Sequence, residues 1–382
     1  PWSDLLIYLS PLSRSTSPIS VNSPARMSAA ELRASLSLAS IFGLRMLGMF
    51  IILPVFTLWT QSQPGWSLQL AGIAIGAYGL TQAILQIPMG WLSDRFGRKT
   101  LLYFGLAAMA AGSFMCALSH GPAGMIAGRV VQGMGAISGV AIAFAADLTR
   151  ETQRSKAMAI IGSTIGAAFM VSFVSAPSLE QAIGMHGIFA VTGALAIGAM
   201  AVTRWVVPQA PLTGRSPTAP AFSEVLRLPE LLRLDVGIFV LHSVLMAMFV
   251  VAPVALVRAG LPVAHHWWIY LGAMVGGLVL MLPAIGARTT RRERPIFLAS
   301  IVVVAVGIAV LAAGLESVAG IAAALVIVFA GFNVLEAKLP TLVSRAAPRE
   351  ARGAATGVYS SVQFLGTFVG SAAGGAIAQH FG

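Results

Sequence analysis

The chain has 382 residues, of which 57% are hydrophobic and only 10% charged, with 40 Gly, 20 Pro and a mean hydropathy of +0.85. Soluble domains are about half apolar and about a quarter charged, so this composition excludes a soluble globular fold and points to an all-α membrane protein crossing the bilayer repeatedly. The net charge of +11 would suit a nucleic-acid binder, but its confinement to alternate loops excludes that reading.

Residues 1–26, rich in Ser and Pro, read as a leader outside the folded protein. A cleaved signal peptide is the rival reading, but its apolar stretch LLIYL is too short for an h-region and Pro interrupts it. From Met27 the segment MSAAELRASLSLAS forms an amphipathic lead into the first crossing. Apolar runs long enough to cross a ~30 Å hydrocarbon core as helix then follow. There are eleven, at 34–58, 69–92, 100–118, 122–147, 157–178, 186–207, 234–257, 267–287, 296–314, 318–343 and 354–378. A Pro-rich, charged connection after the sixth run divides the chain into an N-terminal bundle (27–207), a central loop (208–233) and a C-terminal bundle (234–382).

Basic residues mark one membrane side. They include Arg95, Arg98 and Lys99; Arg150, Arg154 and Lys156; Arg204, Arg215, Arg227 and Arg233; Arg288, Arg291, Arg292 and Arg294; and Arg345, Arg349 and Arg352. The intervening loops TQSQPGWSL and SHGPAG carry no charge, and Arg258 is the lone Lys or Arg in the loops of that side. This asymmetry puts the amino terminus in the cytoplasm. The single Cys116 excludes a disulfide framework, no His pair has a metalloprotease spacing, and no Walker A loop is present. The expectation is a non-enzymatic protein without cofactor or metal, energised by an ion gradient.

The two halves also share a pattern. TRETQRSKAMAIIG (149–162) aligns with SRAAPREARGAATG (344–357), matching Arg150 to Arg345, Arg154 to Arg349 and Gly162 to Gly357 at one offset. A parallel repeat with both copies on one side of the membrane is characteristic of two-bundle secondary transporters.

The stretch GWLSDRFGRK at 90–99 concentrates charge between two apolar runs. Gly90 and Gly97 permit a tight turn and close helix approach, Asp94 places a carboxylate at a helix end, and Arg95, Arg98 and Lys99 reach the cytoplasmic surface. It resembles the loop signature G-x-L-[AS]-D-[RK]-x-G-R-[RK] of the major facilitator superfamily. GRVVQGMGA (128–136) is similar to that family's R-x-x-Q-G motif. FGLRMLGMFIILPVF (42–56), GAYGLTQAILQIP (76–88), FNVLEAKLP (332–340) and GVYSSVQFLG (357–366) are similar to the YajR type within the drug:proton antiporter branch. The resemblance implies two six-helix bundles related by a pseudo-two-fold axis. It also implies a cytoplasmic gate in which Asp94 faces the amino end of the eleventh helix, near Gly353 to Thr356, and Arg98 pairs with Asp147. Two features depart from it. Ala176 precedes Pro177 where the antiporter motif carries Gly-Pro, and eleven runs stand where the family has twelve helices, which reads most simply as a fragment.

Ionisable groups at membrane depth are costly and tend to be functional. Arg45 lies in mid-run and needs a polar cavity or an acid. Arg129 begins the fourth run, where it either serves the pathway with Gln132 or snorkels outward. Glu336 is read as the one carboxylate well inside an apolar run and as the leading proton carrier, the bland alternative being an ion pair with Lys338 or an Arg. His242 suits a proton relay or a packed, hydrogen-bonded position. Tyr78, Gln82 and Gln86 share a helical stripe; Tyr359 and Gln363 repeat the spacing, with Asn333 on the tenth run. Such groups line cavities or bond between helices.

Together these readings give a monomeric transporter of the bacterial inner membrane, partnered by small molecules, protons and lipid, which exports its substrate against protons by alternating access. A symporter, uniporter or sugar exporter of the same fold, or a non-transporting membrane sensor or scaffold, are the alternatives.

Overall fold

The computed structural model describes residues 26–208, 225–286, 293–348 and 351–381. The leader at 1–25, most of the central loop, and Arg349, the partner of Arg154 in the repeat, lie outside the described residues. The elements are α1 (Ala29–Phe50), α2 (Leu53–Gln61), α3 (Leu68–Phe96), α4 (Arg98–Leu118), α5 (Pro122–Gly133), α6 (Ser138–Asp147), α7 (Arg154–Trp205), α8 (Pro229–Arg258), α9 (His266–Gly286), α10 (Glu293–Gly314), α11 (Val318–Ala346) and α12 (Arg352–Phe381). α1 with α2, and α5 with α6, each form one interrupted crossing.

Among the described residues, ten helical stretches are long and apolar enough to span a bilayer, not eleven. The difference lies in α7, which joins the runs at 157–178 and 186–207. Its 52 residues would extend about 78 Å at 1.5 Å each, far beyond a ~30 Å core. The chain reverses at Gly184, whose φ of 69° and ψ of 173° no side-chain-bearing residue adopts cheaply, so α7 crosses twice. The C-terminal bundle begins at Pro229, five residues before the expected boundary, because Pro at the first turn is preorganised for helix.

The first crossing starts from a capping box. Glu31 N–H donates to Ser28 Oγ (3.2 Å) and Ser28 N–H donates to the Glu31 carboxylate (2.8 Å). The same carboxylate receives two bonds from the Arg150 guanidinium, each 2.8 Å, tying α1 to the loop after α6. Arg345, the repeat mate of Arg150, lies 3.4 Å from Glu293 in the first turn of α10. Both arginines thus meet an acid at a helix start.

Packing differs between the two ends of the molecule. At the end opposite the basic loops, one apolar core runs through both halves, joining Phe56, Ile75, Phe173 and Phe189 to Leu245, Phe249, Tyr270 and Phe329. Rings meet across the divide, with Phe173 4.8 Å from Phe249 and, edge to face, 5.2 Å from Tyr270 between centroids. At the basic end each half has its own core, around Leu38, Met89, Leu102 and Phe144 in one and around Leu234, Ile238, Leu339 and Tyr359 in the other. The halves thus share one core at the outer end and keep separate cores at the basic end, where Ile87 of α3 still touches the C-terminal one.

Glycine makes the outer fusion possible. A Cβ on Gly72 would sit 2.1 Å from Ser371 O, and one on Gly79 would sit 2.2 Å from Thr367 Oγ1, so α3 and α12 touch backbone to backbone. Gly72→Val is therefore expected to wedge the outer ends apart at a cost of about 1–3 kcal/mol. Labelling of Ser371→Cys by an impermeant maleimide added outside should rise from negligible to near complete in that background. Unchanged labelling would remove this contact as the seal.

Candidate functional site

Polar side chains at membrane depth gather in two clusters, one per half. In the N-terminal half, Arg45 from α1 is 1% exposed and donates to Tyr78 Oη on α3 (2.8 Å) and Ser138 Oγ on α6 (2.9 Å). Gln82 donates to the same Tyr78 oxygen at 3.0 Å. Gln86, one turn further, packs against Gly139 on α6, and the side-chain oxygens of Gln82 and Gln86 and the Nε of Arg45 are buried without partners among the described residues. No carboxylate lies within ion-pair distance of Arg45 among the described residues. Here is a desolvated cation held by neutral groups alone.

Arg129 and Gln132, on α5, take another part of the same half. Arg129 is buried rather than snorkelling: its guanidinium donates to the Ala74 and Ile75 carbonyls of α3, each 3.2 Å, and to Gln132, and stacks 4.8 Å above the Tyr78 ring. Gln132 in turn donates to Ser113 on α4 at 2.8 Å. The motif's one-turn spacing thus clamps α3, α4 and α5 together, with its donors spent on protein groups.

In the C-terminal half, Gln363 on α12 donates to Glu336 on α11 at 3.2 Å, and its amide lies 2.9 Å from His242 Nε2 on α8. His242 and Glu336 approach to 3.9 Å. The Glu336 side chain is 36% exposed although it sits in mid-helix, and its Oε2 is buried without a hydrogen-bond partner among the described residues. Among the described residues no ion pair joins it to Lys338, and Asn333, half-buried one turn away, forms no hydrogen bond. Tyr359 is buried with its hydroxyl unpartnered among the described residues.

Glu336 is not the only carboxylate inside an apolar stretch. Asp235 on α8 is 6% exposed, lies among the inner-core residues Leu234 and Ile238, and was missed because it stands at the edge of its run. A signal was present: Asp235 and His242 are seven residues apart and share a helix face.

At the cytoplasmic end, Arg98 pairs with Asp147 at 3.1 Å, as expected, and also bonds Ser93. Lys99 donates to the Val207 carbonyl at 3.1 Å, and Arg95 lies 5.6 Å from the Phe96 ring and 6.0 Å from Trp91. Gly97 uses a φ of 92° to turn α3 into α4. Two expectations differ. Asp94, half-exposed, pairs with Arg98 at 2.6 Å rather than with the start of α12, and Gly90, like Gly353, has open space where a Cβ would stand. Among the described residues no group of three or more His, Cys, Asp or Glu side chains is placed to hold a metal ion.

Arg129→Met should lower the stability of the folded protein by about 3 kcal/mol, since each hydrogen bond to a buried charged group is worth roughly 1.5–3 kcal/mol. The thermal midpoint in detergent should fall while turnover per folded molecule holds. A loss of turnover without loss of stability would return Arg129 to the transport pathway.

Comparison with known proteins agrees with this architecture. The Major Facilitator Superfamily profile matches residues 38–371. The chain is 42% identical over 355 residues to the "Inner membrane transport protein YajR" of Escherichia coli (strain K12), covering 92% of this chain and 78% of that one. It is 34% identical over 346 residues to the "Uncharacterized transporter BU466" of Buchnera aphidicola subsp. Acyrthosiphon pisum (strain APS), covering 89% of each. Among solved structures, a bacterial homologue of the human lysosomal transporter Spinster, in an inward-facing and occupied conformation, superposes with a TM-score of 0.74 over 93% of this chain and 83% of that one, at 15% identity. Interrupted crossings, a charged cytoplasmic turn and two polar clusters in apolar bundles thus have their explanation in kinship: the chain belongs to the major facilitator superfamily, as a multi-pass, non-enzymatic membrane transporter.

Proposed function

We propose that this transporter exports small amphipathic molecules in exchange for protons, with Glu336 as the group for which proton and substrate compete. The observation that carries the reading is the exposure of Glu336 at membrane depth, with one oxygen held by Gln363 and the other 3.9 Å from His242. An ionised carboxylate in such a place must be paired, protonated or occupied by a ligand. In the inward-facing form, release of its proton toward the cytoplasm frees it to take a substrate. Rocking to the outward-facing form would return it to the outside, where a proton displaces the substrate. The Arg98–Asp147 pair holds α4 to α6 throughout, and Asp94 exchanges its pairing with Arg98 for the amino end of α12 when the inner ends close.

One observation favours a second reading. Arg45 has no acid within ion-pair distance among the described residues and an unpartnered Nε, which suits a substrate with an acidic group and would fit a symporter of the same fold.

Glu336→Gln should abolish substrate-triggered proton release from energised inverted vesicles while leaving membrane insertion intact. Release at the wild-type rate in that variant would remove Glu336 as carrier. Asp94→Asn should slow transport about fivefold, the equivalent of the ~1 kcal/mol that a carboxylate contributes at a helix amino terminus. Wild-type turnover would dismiss the latch.

A further inference from the structure

We propose that Asp235 is the cytoplasmic relay that passes protons between Glu336 and the inner aqueous space, through the hydroxyl of Tyr359. The inference rests on the proton-coupled reading above and names a residue and route for it. The argument is one of depth. α8 and α12 both run from the cytoplasm outward, and α11 runs back. Gln363, His242 and Glu336 meet at one level. Tyr359 lies four residues nearer the cytoplasm on α12, about 6 Å down the helix, and Asp235 lies seven residues nearer it on α8, about 10 Å down. Asp235 and His242 occupy one face of α8, Tyr359 and Gln363 one face of α12, and these faces share the inner core of the C-terminal half. The Tyr359 hydroxyl is buried and unpartnered among the described residues.

Two further facts mark Asp235 as more than packing. It is 6% exposed yet accepts no hydrogen bond and forms no ion pair among the described residues. A buried carboxylate left so is costly unless it carries a proton for part of the cycle. The other charged or titratable groups near this route are Arg233 and Glu230 on α8, Lys338 on α11 and Arg352 on α12, all less buried than Asp235. In the step itself, Glu336 releases its proton through intervening water to the Tyr359 oxygen as the Tyr359 hydroxyl proton moves on to Asp235. Asp235 then yields a proton to the cytoplasm; Tyr359 and Asp235 end in their starting forms, and Glu336 ends ionised, one proton having moved from it to the inner aqueous space.

The test uses the full-length protein in vesicles of one orientation. It measures substrate-triggered proton release beside substrate exchange down no gradient, which needs no net proton movement. Asp235→Asn and Tyr359→Phe should each slow proton release at least tenfold and leave exchange within twofold of wild type, and Asp235→Glu should restore release. Proton release by wild type and both variants at one rate would overturn the relay alone. Equal loss of release and exchange in every variant, Asp235→Glu included, would reduce Asp235 to a structural residue and also overturn it. No proton release by wild type would overturn the coupled reading and the relay together.

Discussion

Backbone contact between α3 and α12 at the outer end governs the arrangement of everything else. In lipid, apolar surface gains little by meeting apolar surface, so helices associate through close approach and dispersion. Gly72, Gly76 and Gly79 on one helix and Gly375 on the other remove the side chains that would hold the axes apart. With the outer ends locked together, two bundles of nearly rigid helices can part only at the inner ends. The aromatic rings of Phe173, Phe249 and Phe329 fill what remains of the outer gap.

Within that frame the halves handle buried polarity differently. The N-terminal half satisfies its two arginines with hydroxyls, amides and backbone carbonyls, and among the described residues brings no acid to them. The C-terminal half carries its acids, Glu336 and Asp235, on facing helices, with a histidine, an amide and a phenol between them. Charge is thus segregated across the central divide. A cation held by neutral partners is a fixed feature of the interior, whereas a carboxylate can shed its charge by taking a proton.

Hydropathy made most of the fold legible. The crossings were visible because a bilayer demands long apolar helices, and the side of each loop because lysine and arginine stay in the cytoplasm. The Gly184 reversal was not legible as part of one helix, since an apolar run gives no notice of where it turns without a loop. The pairing of Arg98 with Asp147 was carried by motif, and that of Glu31 with Arg150 was not foreseen at all, because it depends on which helix ends become neighbours. For the same reason Tyr78 read equally well as cavity lining or as an interhelical partner; only the meeting of α1 and α3 made it an acceptor for Arg45. Asp94 shows a further limit. A motif names the partner a residue meets somewhere in a cycle, and a single conformation shows one station of that cycle.

The short turns of the outer face have a consequence for entry and exit there. Among the described residues the chain leaves the membrane on that side only at 62–67, at 119–121, at the Gly184 bend, at 259–265 and at 315–317. None of these is long enough to fold over an opening as a lid. The inner face, by contrast, has the long connection after α7. At these turns, among the described residues, a solute at the outer mouth meets the ends of the helices themselves and would be held or refused by the tilt of whole bundles.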